Sequence, residues 1–201
     1  RMNKDEAETL VHQLVLDLNK PERILPGGYL YMMDVLGNPK LLHEVGRLFA
    51  AALYDKEIDA VMTVATKGIP LAYAVGQHLG VPVSIVRRDH RITEGSMVSI
   101  NYASGSSDRI QTMTLARRSL AAGSKVFIVD DFMKAGGTIR GMVDLLAEFD
   151  ADLVGIGVLV EAAEVSERLV DDYVSLTKLT NVDAREKQIE LLSGNILDRL
   201  H

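Results

Sequence analysis

Val126-Phe127-Ile128-Val129-Asp130-Asp131-Phe132-Met133-Lys134-Ala135-Gly136-Gly137-Thr138 is the stretch whose reading decides the fold. Val126 to Val129 is apolar without alternation, which predicts a strand buried on both faces. Two adjacent carboxylates, Asp130 and Asp131, follow at its carboxyl end. A loop over Asp130 to Gly137 then leads into a helix from Thr138 to Phe149 and a second apolar strand from Leu153 to Val160. In an open α/β sheet, ligands bind just beyond the carboxyl ends of the strands. A helix N-terminus at that place offers unpaired N–H groups and the positive end of the helix dipole, and glycines let a phosphate come close to the backbone. Ala135, Gly136, Gly137 and Thr138 can therefore cradle a phosphate, with Lys134 as an added point charge. Asp130 and Asp131 can accept hydrogen bonds from vicinal hydroxyls nearby. A sugar phosphate carries both features. The same acids could instead hold Mg²⁺, as in receiver domains, although no further Asp and Lys at other strand ends stand out. A Walker phosphate loop is absent.

The pattern repeats upstream. Ala60 to Ala65 is an apolar strand that ends in Thr66-Lys67-Gly68, followed by a helix from Ile69 to Leu79 and a strand from Val81 to Val86. Such strand–helix–strand units predict an open, mainly parallel sheet with helices on both faces. Between the units, Met97 to Tyr102 and Ile110 to Thr114 read as a hairpin whose polar Gly/Ser tip is expected to be mobile. Residues 3–19 predict an amphipathic helix capped by Asn3 with Glu6, and Pro26-Gly27-Gly28 a turn before Tyr29 and Tyr31. Asn38-Pro39 opens another helix that runs to Leu53, and strands are expected near Tyr173 to Leu179 and Ile189 to Leu192, with a short last helix. No linker divides the chain, so residues 1–201 are expected to form one domain.

Composition narrows the function classes. The 201 residues are 47% apolar and 25% charged, as in ordinary globular domains. The net charge of −6 argues against a broad basic face for nucleic acid. With no Cys, this chain has no disulfide framework, thiolate zinc site or cysteine nucleophile. No apolar run is long enough to span a bilayer and no signal peptide opens the chain, so a cytoplasmic location without membrane contact is expected. His12, His43, His78, His90 and His201 are scattered and receive no role.

The Asp130 to Thr138 window resembles the phosphoribosyl pyrophosphate (PRPP) motif of type I phosphoribosyltransferases. Glu22 to Tyr29, Val61 to Pro70 and Thr93 to Ser96 extend the resemblance to the effector-binding domain of the purine operon repressors of Gram-positive bacteria. The resemblance implies a phosphoribosyltransferase-like domain that binds PRPP, with Mg²⁺, as inducer and performs no chemistry. It further implies a competing guanosine tetra- or pentaphosphate or purine nucleotide, a homodimer, and operator DNA contacted through a preceding winged-helix domain. That domain is absent from this chain, which starts at Arg1 as a fragment would. Thr66-Lys67-Gly68 would be the pyrophosphate loop, where a cis non-proline bond is common. Phe132 and Tyr29 would flank a base, although ordinary core packing explains Phe132 equally. Arg87, Arg88 and Arg91 could serve pyrophosphate or simply form a charged edge. Residues 103–109 match a mobile hood in position, and Arg109, Arg117 and Arg118 beside it could face DNA or a partner subunit. The alternative is a catalytically active xanthine- or adenine-type phosphoribosyltransferase, which shares the acid pair and the phosphate loop.

Overall fold

The first helix starts where a capping box is written into the sequence. The Asn3 side chain accepts from the Glu6 amide at 2.8 Å, while the Glu6 carboxylate accepts from the Asn3 amide at 3.1 Å. The computed structural model describes residues 2–103 and 109–200. Helix α1 (Lys4–Leu18) is followed by a small antiparallel pair, β1 (Ile24–Leu25) and β2 (Tyr29–Leu30), and by α2 (Met33–Leu36). Next come α3 (Pro39–Ala52), β3 (Ala60–Val64), α4 (Ile69–Leu79) and β4 (Val83–Val86). The hairpin β5 (Met97–Ala103) and β6 (Ile110–Ala116) leads to β7 (Lys125–Met133) and α5 (Gly137–Glu148). The chain then forms β8 (Asp152–Ala162), β9 (Val174–Asp183), β10 (Gln188–Ser193) and a final 3₁₀ turn, Asn195–Arg199. The hairpin tip at 104–108, expected to be mobile, lies outside the described residues.

Six strands form one sheet in the order β10-β9-β8-β7-β3-β4, parallel throughout except for β10, which runs antiparallel to β9. Alternate side chains of its central strands feed two cores. Val61, Phe127 and Val129 pack with α1, α3 and α4 on one face. Met62, Val126 and Ile128 pack with α5 and the hairpin residues Tyr102, Met113 and Leu115 on the other. The expected mainly parallel sheet with helices on both faces and a hairpin is therefore what the chain builds. Among the described residues, no helix is long and apolar enough to cross a membrane.

One boundary differs in a way that matters. Asp130, Asp131 and Phe132 were expected in a loop, but β7 continues through Met133. Its neighbour β8 runs alongside to the end and pairs Asp130 with Val158, Phe132 with Val160 and Met133 with Glu161, so the backbone of the acid pair is held in the ladder. On its other side β7 pairs with β3 only as far as Met62 and Ile128. From β3 the chain turns through α4 to β4, and from β7 through α5 to β8 on the opposite side. The crevice between β3 and β7 is thus the switch point of the sheet, the place where open α/β sheets bind ligands.

The turn that carries Tyr29 is anchored by an arginine that the sequence pattern left unmarked. Arg23 is buried and forms a two-pronged pair with Asp34, with both N–O distances at 2.7 Å. It also donates to the Asp17 carbonyl at 2.7 Å and the Tyr31 carbonyl at 2.8 Å, tying the end of α1 to the β1–β2 turn. Hydrogen bonds of charged groups contribute about 1.5–3 kcal/mol, and those to two backbone carbonyls have no substitute when the guanidinium is removed. Arg23→Ala should lower unfolding free energy in urea by about 2–3 kcal/mol. Asp34→Ala removes a carboxylate that is half exposed and screened, and should lower it by less than about 1 kcal/mol.

Candidate functional site

The crevice opens into a cleft of about 470 Å³ at the carboxyl ends of β3 and β7. All twelve expected site residues line it: Tyr29, Thr66, Lys67, Gly68, Asp130, Asp131, Phe132, Lys134, Ala135, Gly136, Gly137 and Thr138. The segments 66–68 and 134–138, some seventy residues apart in sequence, face each other across the acid pair. The close approach of the first loop depends on Gly68. A Cβ there would collide with the Thr63 hydroxyl and come within 3.1 Å of Asp130 Oδ1. The Ala65–Thr66 peptide bond is cis, as the resemblance implied. The second loop turns at Gly136, whose φ of +95° suits glycine. Helix α5 starts at Gly137, one residue earlier than expected, and its first residues, Gly137 to Ile139, line the cleft at the end where a helix leaves its N–H groups free.

The acids stand near the carboxyl end of a strand, yet only 7% of Asp130 and 9% of Asp131 is exposed. The long pairing of β7 with β8 and the covering 66–68 loop account for this. The Asp131 amide donates to Asp130 Oδ1 at 2.9 Å. Burial holds the Asp130 carboxyl well above the usual carboxylate range, and the neighbouring Asp131 charge pushes it the same way. The Asp131 amide and the Arg88 charge oppose the shift without cancelling it.

Three placements add detail to the residue-level expectations. Lys134 lines the cleft, but its ammonium sits 3.8 Å from the centre of the Tyr29 ring and donates to the Gly27 carbonyl. Phe132 belongs to a strand, and its half-buried ring lies 5.7 Å from that of Tyr29, so it packs on the core edge and faces the cleft at once. Of the arginines after β4, Arg88 alone lines the cleft, donating to the Ala65 carbonyl at 3.1 Å and the Tyr102 hydroxyl at 2.9 Å. Arg87 pairs with Glu94, and Arg91 with Asp89, each at 2.9 Å. Arg109, Arg117 and Arg118 are exposed and do not line the cleft. Thr63 went unnoticed in the sequence. It is fully buried beneath Gly68, and its hydroxyl has no hydrogen-bond partner among the described residues. Its signal was a hydroxyl inside an otherwise apolar strand.

Residues 33–193 match the model of the phosphoribosyl transferase domain. The purine biosynthesis transcriptional repressor PurR of Bacillus subtilis (strain 168) is 61% identical over 197 residues, covering 98% of this chain and 69% of the relative. The chain belongs to the PurR family of purine biosynthesis regulators. Another family member, the transcriptional activator PurR of Lactococcus lactis subsp. lactis, is 47% identical over 195 residues, covering 96% of this chain and 72% of its own. Repression and activation thus both occur in relatives of the PurR type. Among solved structures, the adenine phosphoribosyltransferase from Thermoanaerobacter pseudethanolicus superposes with a TM-score of 0.73 at 20% identity, covering 84% of this chain and 99% of that one. At that identity the likeness establishes the fold, a type I phosphoribosyltransferase sheet carrying a PurR sequence.

The raised Asp130 carboxyl has a measurable consequence. It holds its proton more tightly in the folded than in the unfolded chain. The stability this contributes is present in acid and is lost as pH climbs from the ordinary carboxylate range through the folded value. Asp130→Asn should therefore raise Tm at neutral pH by about 2–4 °C, the response to each kcal/mol relieved in a domain of this size. The gain should vanish near about pH 3, where unfolded carboxylates are also protonated.

Proposed function

We propose that this chain is the effector-sensing part of a regulator of purine genes, and that it binds PRPP as inducer without turning it over. The observation that carries the reading is the meeting, in one cleft, of a buried acid pair with two helix-opening loops. The N–H groups of residues 135–138 suit the 5′-phosphate, and Asp130 and Asp131 suit the two ribose hydroxyls. Thr66, Lys67 and Gly68, with Arg88 behind them, suit the pyrophosphate. A purine nucleotide or guanosine tetra- or pentaphosphate would compete for the same loop and act oppositely, with its base against Tyr29 and Phe132 at the cleft wall.

The acid pair also fits Mg²⁺ as part of the ligand. Among the described residues, no group of three acids or histidines could hold a metal by itself. The ion would therefore arrive on the oxygens of PRPP, offsetting their charge and that of the carboxylates. Operator DNA would be met by a winged-helix domain preceding this one, and a homodimer would match paired half-sites.

The kinship with PurR regulators favours sensing over catalysis. With PRPP, Mg²⁺ and xanthine, guanine, hypoxanthine or adenine in turn, calorimetry should show PRPP binding and an enzymatic assay no steady release of pyrophosphate. Sustained release with any base would make the chain a xanthine- or adenine-type phosphoribosyltransferase. Asp131→Ala removes a carboxyl acceptor for a ribose hydroxyl. PRPP affinity should fall about ten- to a hundredfold while unfolding remains cooperative.

A further inference from the structure

The loop that faces the cleft at 134–137 is gripped from behind by the segment between β8 and β9. The Arg168 guanidinium donates to the Lys134 carbonyl through Nη1 and to the Ala162 carbonyl through Nη2, the latter at 2.7 Å. It lies 5.5 Å from the centre of the Tyr173 ring. One residue on, the Leu169 amide donates to the Ala135 carbonyl at 2.7 Å. Val170 is buried and closes on Gly136, its Cγ2 3.1 Å from where a Cβ would stand.

These contacts fall on two successive peptide units. In a trans peptide the C=O and the following N–H point in opposite directions. Fixing the Lys134 carbonyl toward Arg168 therefore turns the Ala135 N–H away from it. Fixing the Ala135 carbonyl toward Leu169 does the same for the Gly136 N–H. Without the grip, the peptide between Ala135 and Gly136 can rotate readily, because glycine tolerates either orientation. Successive N–H groups turned to one side make an anion-binding concavity.

We propose that residues 163–173 are the support that presets the phosphate loop, and that Arg168 is its positioning residue. Arg168 does not line the cleft and is not expected to touch the ligand. Its effect is on the fraction of molecules whose loop is already turned for an anion, and apparent affinity falls in proportion to that fraction. The inference rests on the reading that residues 135–138 hold the 5′-phosphate.

Two probes separate the two ends of the cleft: ribose 5-phosphate reads the 135–138 loop, and inorganic pyrophosphate reads the 66–68 loop. In Arg168→Ala, ribose 5-phosphate affinity should fall about tenfold by calorimetry, as for a competent fraction reduced to about a tenth. Pyrophosphate affinity should stay within about twofold, and Arg168→Lys, which keeps one charged donor, should recover part of the loss. Amide hydrogen exchange of the free protein gives a readout without ligand. The Leu169 amide should exchange at least about tenfold faster in Arg168→Ala while the β7 and β8 amides stay protected. Unchanged ribose 5-phosphate affinity and exchange would overturn the proposal. So would equal loss of both probes with exchange rising across the sheet, because Arg168 would then be a general structural prop. If the parent protein binds neither PRPP nor ribose 5-phosphate, the functional reading fails, and the Leu169 exchange still decides whether Arg168 holds the loop.

Discussion

Beyond Met62 and Ile128, β3 and β7 share no ladder hydrogen bonds, and the site is built around that parting. Each strand keeps its other neighbour: β3 stays paired with β4 as far as Val64 and Val86, and β7 with β8 as far as Met133 and Glu161. The backbones at the crevice are therefore rigid on their outer sides and free on the inner ones. Into that gap the chain places the two groups that most need covering, a pair of adjacent carboxylates. Gly68 then brings a loop so close to Asp130 that no larger residue fits without displacing Thr63.

The electrostatics follow from this packing. Burial holds the Asp130 carboxyl above the usual carboxylate range, and the neighbouring Asp131 charge pushes it the same way. Such a buried pair is suited to a ligand that brings its own donors and cation. The ring of Tyr29 forms part of the same wall. It is held by Lys134 above it and by the Arg23 network beneath its turn, so elements far apart in sequence converge on one face of the cleft.

How much of this could be read in advance depended on the range of the interactions. The parallel sheet, the helices and the Asp130 to Thr138 side of the cleft were legible because apolar runs, caps and spacing are local signals, whereas Tyr29 and Thr66 to Gly68 came only with the family resemblance. The extent of β7 was not. Whether Asp130 and Asp131 end a strand or continue it is decided by β8, whose pairing partner lies nearly thirty residues away. The burial of the acids, the Arg23–Asp34 pair and the direction of Lys134 were hidden for the same reason. Arg88 could be distinguished from Arg87 only once Glu94 had claimed the latter. Thr63 and Arg168 act through loops folded over them, which no periodicity marks.

The proposed ligand would place its phosphate, sugar and pyrophosphate in one cleft, at the parting of β3 and β7. Backbone amide resonances of the isotope-labelled protein, followed while PRPP and Mg²⁺ are added, test it most directly. The account predicts that the largest shifts fall together on residues 65–68 and 130–138, saturating at one ligand per chain. Shifts centred elsewhere, for instance on the apolar groove between α3 and α4 near Tyr73 and Pro82, with the amides of Gly136 and Gly137 unmoved, would contradict it.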